Sequence, residues 1–369
     1  VAKVEVGPVS GCSTILSKII EMIKVGITHG DINGIGYEVL IKTLLDSRIY
    51  SICTPVIYGS PKVAAYHRKA LDLDNFNLSI IKSPEEANPK RASIINCVDD
   101  DVRVELGKST SIAGQASRQA LIRAVSDLKN NKIQALVTCP INKHSIQSAD
   151  FDFTGHTEFL QEYFDAEEVL MLMAGDLMKV GVVSTHIPLA RVSKVLTKET
   201  ILAKIKILND SLIKDFGIRK PRIAVLGLNP HAGEEGLLGQ EENEVITPAI
   251  EKAKEDRYNV FGPFPADGFF GSGDFIRFDG ILAMYHDQGL IPFKTLIPDE
   301  GVNYTAGLPI IRTSPAHGTA FEIAGSNRAR HGSFRKALYM ACDIYRNRIQ
   351  YEEFTSNPLP ERDISDLDR

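Results

Sequence analysis

Three histidines of this chain share one setting. His186 follows the apolar run VGVVST, His231 follows AVLGLNP, and His286 follows GILAMY. Such runs read as buried strands, and in open α/β sheets ligands collect beyond the carboxyl ends of the strands. Three imidazoles there form a donor set for Zn2+ or a similar divalent ion, with coordination positions left open for substrate. They lie far apart in sequence, without the local spacing of an HExxH helix. A hydrogen-bonded structural histidine at each strand end is therefore the competing reading, and the pattern leaves both open.

A second group is basic and polar. Lys294, Asn303 and Arg312 fall in a short segment after AMYHDQGL. Arginine can grip phosphate with two parallel N–H groups and lysine can act as a point charge, so the group suits a phosphorylated substrate. Surface charge on loops is the plain alternative. It is weakened because GVNYTAGLPIIRTSPAHG surrounds these residues with Gly, Pro and apolar side chains rather than other charges. Near the N-terminus, GDINGIGYE places Gly34 and Gly36 between a strand and a helix, but the spacing does not fit G-x-G-x-x-G. A tight turn explains these glycines equally well.

The elements that must position these residues alternate along the chain. Strands are expected at Lys24–Thr28, Pro55–Tyr58, Leu78–Lys82, Ala135–Thr138, Val169–Met173, Val180–Thr185, Ile223–Leu228 and Gly280–Tyr285. Helical spacing covers Tyr37–Leu45, Lys62–Leu71, Ala116–Lys129, Lys198–Lys214 and Glu244–Glu255. This alternation predicts α/β architecture with a largely parallel sheet. His67, inside one helical pattern, reads as a surface residue. Pro84–Arg91 reads as a solvated loop and Asn357–Arg369 as a mobile tail.

Bulk properties narrow the function classes. The 369 residues suffice for two domains or one large α/β unit. A net charge of −5 gives no general attraction to nucleic acid or to an anionic membrane surface. No apolar stretch approaches transmembrane length. Five cysteines, odd in number and without a CxxC pair, fit reduced thiols and a cytoplasmic location. Residues 1–23 lack the order of a signal peptide and read as an extension, with Met22 as a candidate natural start.

Taken together, VGITHGDINGIGYE, LVTCPINK, FTGHTEFL, STHIPL, LNPHAGEEG, GPFPAD, AMYHDQGL and GVNYTAGLPIIRTSPAHGTAFEIAG resemble the 4-hydroxythreonine-4-phosphate dehydrogenase family of pyridoxal phosphate biosynthesis. The blocks run in family order over most of the chain. The resemblance implies an isocitrate/isopropylmalate dehydrogenase-like fold, with two α/β/α subdomains flanking an active-site cleft. The division expected is residues 24–135 with 288–369 in one subdomain and 136–287 in the other. It also implies a homodimer whose partner completes each site.

By the same resemblance, His186, His231 and His286 bind a divalent metal (Zn2+, Mg2+ or Co2+), one of them across the dimer interface. His156, Thr157, Lys294, Asn303 and Arg312 bind substrate. Asp267 and Asp287 match acidic residues that maintain the site. His317, Gly318 and Thr319 face NAD or NADP, with Glu322 where Asp is common. The implied reaction oxidises 4-phosphooxy-L-threonine to 2-amino-3-oxo-4-phosphooxybutanoate, which decarboxylates to 3-amino-2-oxopropyl phosphate. A divalent ion would serve as Lewis acid at the alcohol. A related dehydrogenase of another phosphorylated hydroxy acid, such as 4-phosphoerythronate, is the nearest alternative, and a metal-dependent phosphohydrolase a more distant one. The chain departs from the family at His29–Asn33, where a Pro-Gly-Glu-Pro-Ala form is usual, and at Cys139, where glycine is common.

Overall fold

The computed structural model describes residues 22–73, 75–99, 102–147, 153 and 155–357. The expected N-terminal extension up to residue 21, and the expected tail from 358, lie outside the described residues. Twelve described strands form one sheet: β1 Lys24–Thr28, β2 Thr54–Gly59, β3 Ser79–Ile81, β4 Ser93–Asn96, β5 Ala135–Thr138, β6 Leu170–Ala174, β7 Lys179–Ser184, β8 Ile223–Leu226, β9 Val260–Phe264, β10 Gly280–Tyr285, β11 Val302–Ala306 and β12 Arg312–Pro315. Their order across the sheet is β3-β4-β2-β1-β5-β12-β11-β6-β7-β10-β8-β9.

The α/β expectation holds, and the sheet is parallel within each half. Strands β3, β4, β2, β1, β5 and β12 run together. So do β7, β10, β8 and β9. Between the halves, β11 pairs antiparallel with both β12 and β6, and β6 pairs antiparallel with β7. These three reversals leave the two halves running in opposite senses. The expected subdomain limits fall inside elements: 135/136 within β5 and 287/288 within the helix His286–Leu296.

Side-chain alternation along the strands explains where the site opens. Val25 and Ile27 of β1, Val137 of β5, Tyr304 of β11 and Leu282 of β10 all face one continuous core. Helices Gly36–Leu44, Lys198–Lys214 and Gly332–Thr355 cover that face, burying Leu40, Leu208 and Phe334. Full burial of such a side chain is worth about 1.5–3 kcal/mol. The opposite face carries two separate cores. One contains Leu136 and lies under helix Ser111–Lys129 with Leu121 and Leu128. The other contains Ile281 and Ala283 and lies under His286–Leu296 with Leu290 and Phe293. Between these two layers the middle strands present Thr138, Arg312, Ser314, Asn303 and Met171 to a cleft.

One side-chain expectation is corrected. His67 is buried, not superficial. Its ring stacks on Tyr37 at 5.2 Å, and Tyr37 stacks in turn on His29 at 5.4 Å. The His67 Nε2 also bonds the Ile32 carbonyl at 2.8 Å. Helical spacing could not show that rings from the 29–37 segment cover this face. No helix among the described residues is long and apolar enough to cross a membrane.

Candidate active site

The cleft between the two helical layers has a volume of about 370 Å3. Arg312, at the start of β12, forms its floor and is only 3% exposed. Its Nε and Nη2 donate to the Thr138 hydroxyl at 3.0 and 2.8 Å, and its Nη1 donates to the Thr305 hydroxyl at 3.2 Å. All three bonds go to neutral groups. Burial pulls the guanidinium pKa down to about 10, partly opposed by the nearby Glu158 carboxylate. A buried cation satisfied by hydroxyls is costly until an anion joins it.

Other polar atoms aim into the same space. His156 begins the helix His156–Tyr163 and is buried, with Nε2 lacking a hydrogen-bond partner among the described residues. Burial first, then the Arg312 and Lys143 charges, holds its pKa well below the ordinary value, so the imidazole is neutral. The Asn303 Oδ1 and the His317 Nε2 are likewise buried, without partners among the described residues. Native proteins rarely leave such groups unpaired, and a polar ligand is the natural partner. Thr157, Lys294 and Gly318 complete this set of lining residues. All five residues expected to bind substrate therefore converge on one cleft.

The histidines behave differently from one another. His186 follows β7 and His286 follows β10, and these strands are paired neighbours. The two rings lie 6.2 Å apart between centroids. His286 Nδ1 meets Asp287 Oδ1 at 2.7 Å; a carboxylate acceptor places the proton on Nδ1 and leaves the lone pair on Nε2. His186 Nε2 accepts from the Lys143 ammonium at 3.3 Å, so its lone pair already faces a cation. Its Nδ1 lies 3.7 Å from Glu158. This pair fits two ligands of a divalent ion.

His231 does not join them. Among the described residues no three His, Cys, Asp or Glu side chains are grouped to hold a metal. His231 stands exposed on the turn Pro230–Gly236, in which His231, Ala232, Gly233, Glu234 and Glu235 all have positive φ. Left-handed backbone costs a non-glycine residue roughly 1–2 kcal/mol, so the turn must be held by its surroundings. Asp267 lies in the short helix Ala266–Gly271, which packs against this turn and not against the cleft.

The expected cofactor loop is pinned from the N-terminal side. The Thr319 carbonyl accepts from Ile35 N at 3.1 Å. A Cβ at Gly34 would stand 2.7 Å from that carbonyl, so the glycine is required by close approach rather than by a phosphate. Asn33 donates to Lys108 O and Thr110 Oγ1 and accepts from Glu105 N, fastening residues 105–110 to the same corner. His317 and Gly318 line the cleft itself, whereas Thr319 faces this corner.

Lys143 and Glu158 were missed from sequence, although both lie within blocks that carry the resemblance. Their only distinguishing signal is spatial, since each reaches His186 from a different element.

A family model described as pyridoxal phosphate biosynthetic protein PdxA matches residues 51–341. The 4-hydroxythreonine-4-phosphate dehydrogenase of Bacteroides thetaiotaomicron is 52% identical over 350 residues, covering 93% of this chain and 96% of that protein. A protein of Oceanobacillus iheyensis, provisionally named D-threonate 4-phosphate dehydrogenase, is 39% identical and covers 87% of this chain and 97% of its own. The crystal structure of the Klebsiella pneumoniae 4-hydroxythreonine-4-phosphate dehydrogenase superposes with a TM-score of 0.77 at 33% identity, covering 88% of this chain and 100% of that one. A dehydrogenase with this fold calls for a nicotinamide cofactor. The chain belongs to the PdxA family and is an enzyme of the dehydrogenase type.

Proposed function

We propose that the chain oxidises 4-phosphooxy-L-threonine at C3 with NAD+, yielding a β-keto acid that loses CO2 to give 3-amino-2-oxopropyl phosphate. The observation that carries this reading is the buried Arg312 guanidinium, bonded to hydroxyls and opening on a cleft that fits a small phosphorylated molecule. Arg312 and Lys294 hold the phosphoryl group away from the reacting carbon, and this remote binding energy orients the alcohol. Neutral His156, with Thr157 and Asn303, supplies hydrogen bonds to the substrate's polar groups. His317 and Gly318 form the cleft wall against which NAD+ lies, and Thr319 anchors that loop to the Gly34–Ile35 corner, with NADP+ as the less favoured cofactor.

His186 and His286 provide two imidazoles for a divalent ion, and His231 from a second copy of the chain provides the third. When bound, the ion supplies Lewis-acid activation of the alcohol and of the resulting carbonyl. Asp287 keeps His286 in the tautomer that presents Nε2. Exposed apolar side chains support assembly with a second copy: Leu237, beside the His231 turn, is 78% exposed, and Ile291, on the helix that starts at His286, is 63% exposed. Asp267 accompanies His231 in this arrangement. We assign the two helical layers flanking the cleft to two subdomains, with helix His286–Leu296 placed whole in the second rather than divided at 287/288.

The relative provisionally named for D-threonate 4-phosphate supports a second reading, oxidation of a phosphorylated hydroxy acid without the amino group. The metal and phosphate residues serve both. Initial rates of NADH formation with 4-phosphooxy-L-threonine, with D-threonate 4-phosphate and with 4-phosphoerythronate, taken side by side, decide between them. Higher kcat/KM for the amino substrate supports the first reading; negligible NADH from it rejects that reading.

A further inference from the structure

The three histidine-bearing strand ends lie side by side, because β7 pairs with β10 and β10 with β8. Side chains that do not line the cleft cross-link them. The Ser184 hydroxyl donates to the Met284 carbonyl at 2.8 Å, tying the His186 end to the His286 end. The Gln288 amide spans the next pair. Its oxygen accepts from Met284 N at 2.7 Å and its NH2 donates to Gly227 O at 2.6 Å. One residue further on, the Glu242 carboxylate takes over. One oxygen accepts from both Leu228 N and Asn229 N at 2.7 Å, and the other accepts from the Asn229 amide at 2.9 Å. Glu242 is 2% exposed, so these bonds lie out of competition with water.

Immediately after Asn229 the chain enters the left-handed run that carries His231. An exposed turn in a disfavoured conformation has many alternatives, and it keeps one only when its entry is fixed from outside. We propose that Gln288 and Glu242 are positioning residues: together they form a brace that sets the His231 turn at a fixed height and angle on the His286 strand end. The brace rests on the reading of His231 and His286 as metal ligands and extends it to two residues that bind neither metal nor substrate. It acts on the placement of His231 relative to its own sheet, whichever subunit's site that imidazole serves.

The test uses the full chain stripped of metal and titrated with Co2+ alone, followed by the visible absorption of the bound ion, with the thermal midpoint of each variant measured beside it. Glu242→Leu removes the clamp, Glu242→Gln keeps an oxygen for the two backbone N–H groups, and Gln288→Leu cuts the strand cross-link. His231→Ala reports on the underlying ligand reading. The expected result is that Glu242→Leu and Gln288→Leu each weaken Co2+ binding roughly 10–100-fold and alter its spectrum. Glu242→Gln should recover to within about threefold of wild type.

Wild-type Co2+ affinity in Glu242→Leu and Gln288→Leu, with binding lost in His231→Ala, overturns the brace and leaves the ligand reading standing. A lowered thermal midpoint with unchanged affinity assigns both residues to stability alone and also overturns it. Wild-type affinity in His231→Ala removes the ligand reading, and the brace with it. Should Glu242→Leu fail to fold, Gln288→Leu decides by the same criterion.

Discussion

Replacing Arg312 by methionine separates an anion site from a structural polar network. The burial-driven fall in its pKa from 12.5 to about 10 corresponds to about 3 kcal/mol of unfavourable charge burial. Because the folded pKa of this base lies below the unfolded one, that cost is fully present at neutral pH, where both states are protonated. It fades only as pH rises above about 10. Methionine removes the cost at similar volume but forfeits three hydrogen bonds, each worth about 1 kcal/mol. The two effects nearly cancel, so the unliganded variant should unfold in urea within about 1.5 kcal/mol of wild type.

Activity should respond very differently. Of the guanidinium's five N–H groups, three are engaged among the described residues and two remain for phosphoryl oxygens. Two charge-assisted bonds at about 1.5–3 kcal/mol each amount to roughly 10²–10⁴ in kcat/KM. Inorganic phosphate should raise the thermal midpoint of wild type and leave that of the variant unchanged. A destabilisation beyond about 3 kcal/mol would mean that Arg312 is one member of a structural pair. A kcat/KM within about threefold of wild type would refute its role as the phosphate anchor.

Further outcomes follow from other residues. Burial holds the His29 pKa down at about 4, so the unfolded chain, titrating near 6.5, takes up a proton that the folded chain refuses; stability should fall as pH drops from about 6.5 towards 4. His29→Phe keeps the stack on Tyr37, and its unfolding midpoint should show a shallower pH slope across that window; an unchanged slope would count against the assignment. Asp287→Asn should weaken metal binding in equilibrium dialysis roughly 10–100-fold, while the thermal midpoint barely moves because Asp287 is 71% exposed. Asn33→Ala removes the three bonds that fasten residues 105–110 and should cost about 2–3 kcal/mol in urea unfolding, with faster proteolysis in that segment; unchanged cleavage would contradict the pinning.

The strands that end on His186, His231 and His286 were legible because their apolar runs are unbroken. β11 and β12 were not, since VNYTA and RTSP carry Asn303, Arg312 and Ser314 at positions that face the cleft rather than a core. The polar residues that line the cleft are those that break the strand pattern. β9, reading VFGPF, was hidden by its Gly-Pro pair. The last helix was hidden by RNRIQYEE, whose charges belong to its solvent side and to the Arg348–Asp215 pair. The position of His231 depends on a left-handed turn held by Glu242, which lies 11 residues further on (242 − 231) and carries no periodic signal.

The central claim is that this cleft oxidises a phosphorylated alcohol and leaves the phosphate ester intact. Its most direct test is the stoichiometry of products from 4-phosphooxy-L-threonine incubated with the metal-loaded enzyme and NAD+. The account predicts NADH and CO2 in equal amounts, with no inorganic phosphate. Release of inorganic phosphate without NADH would contradict it.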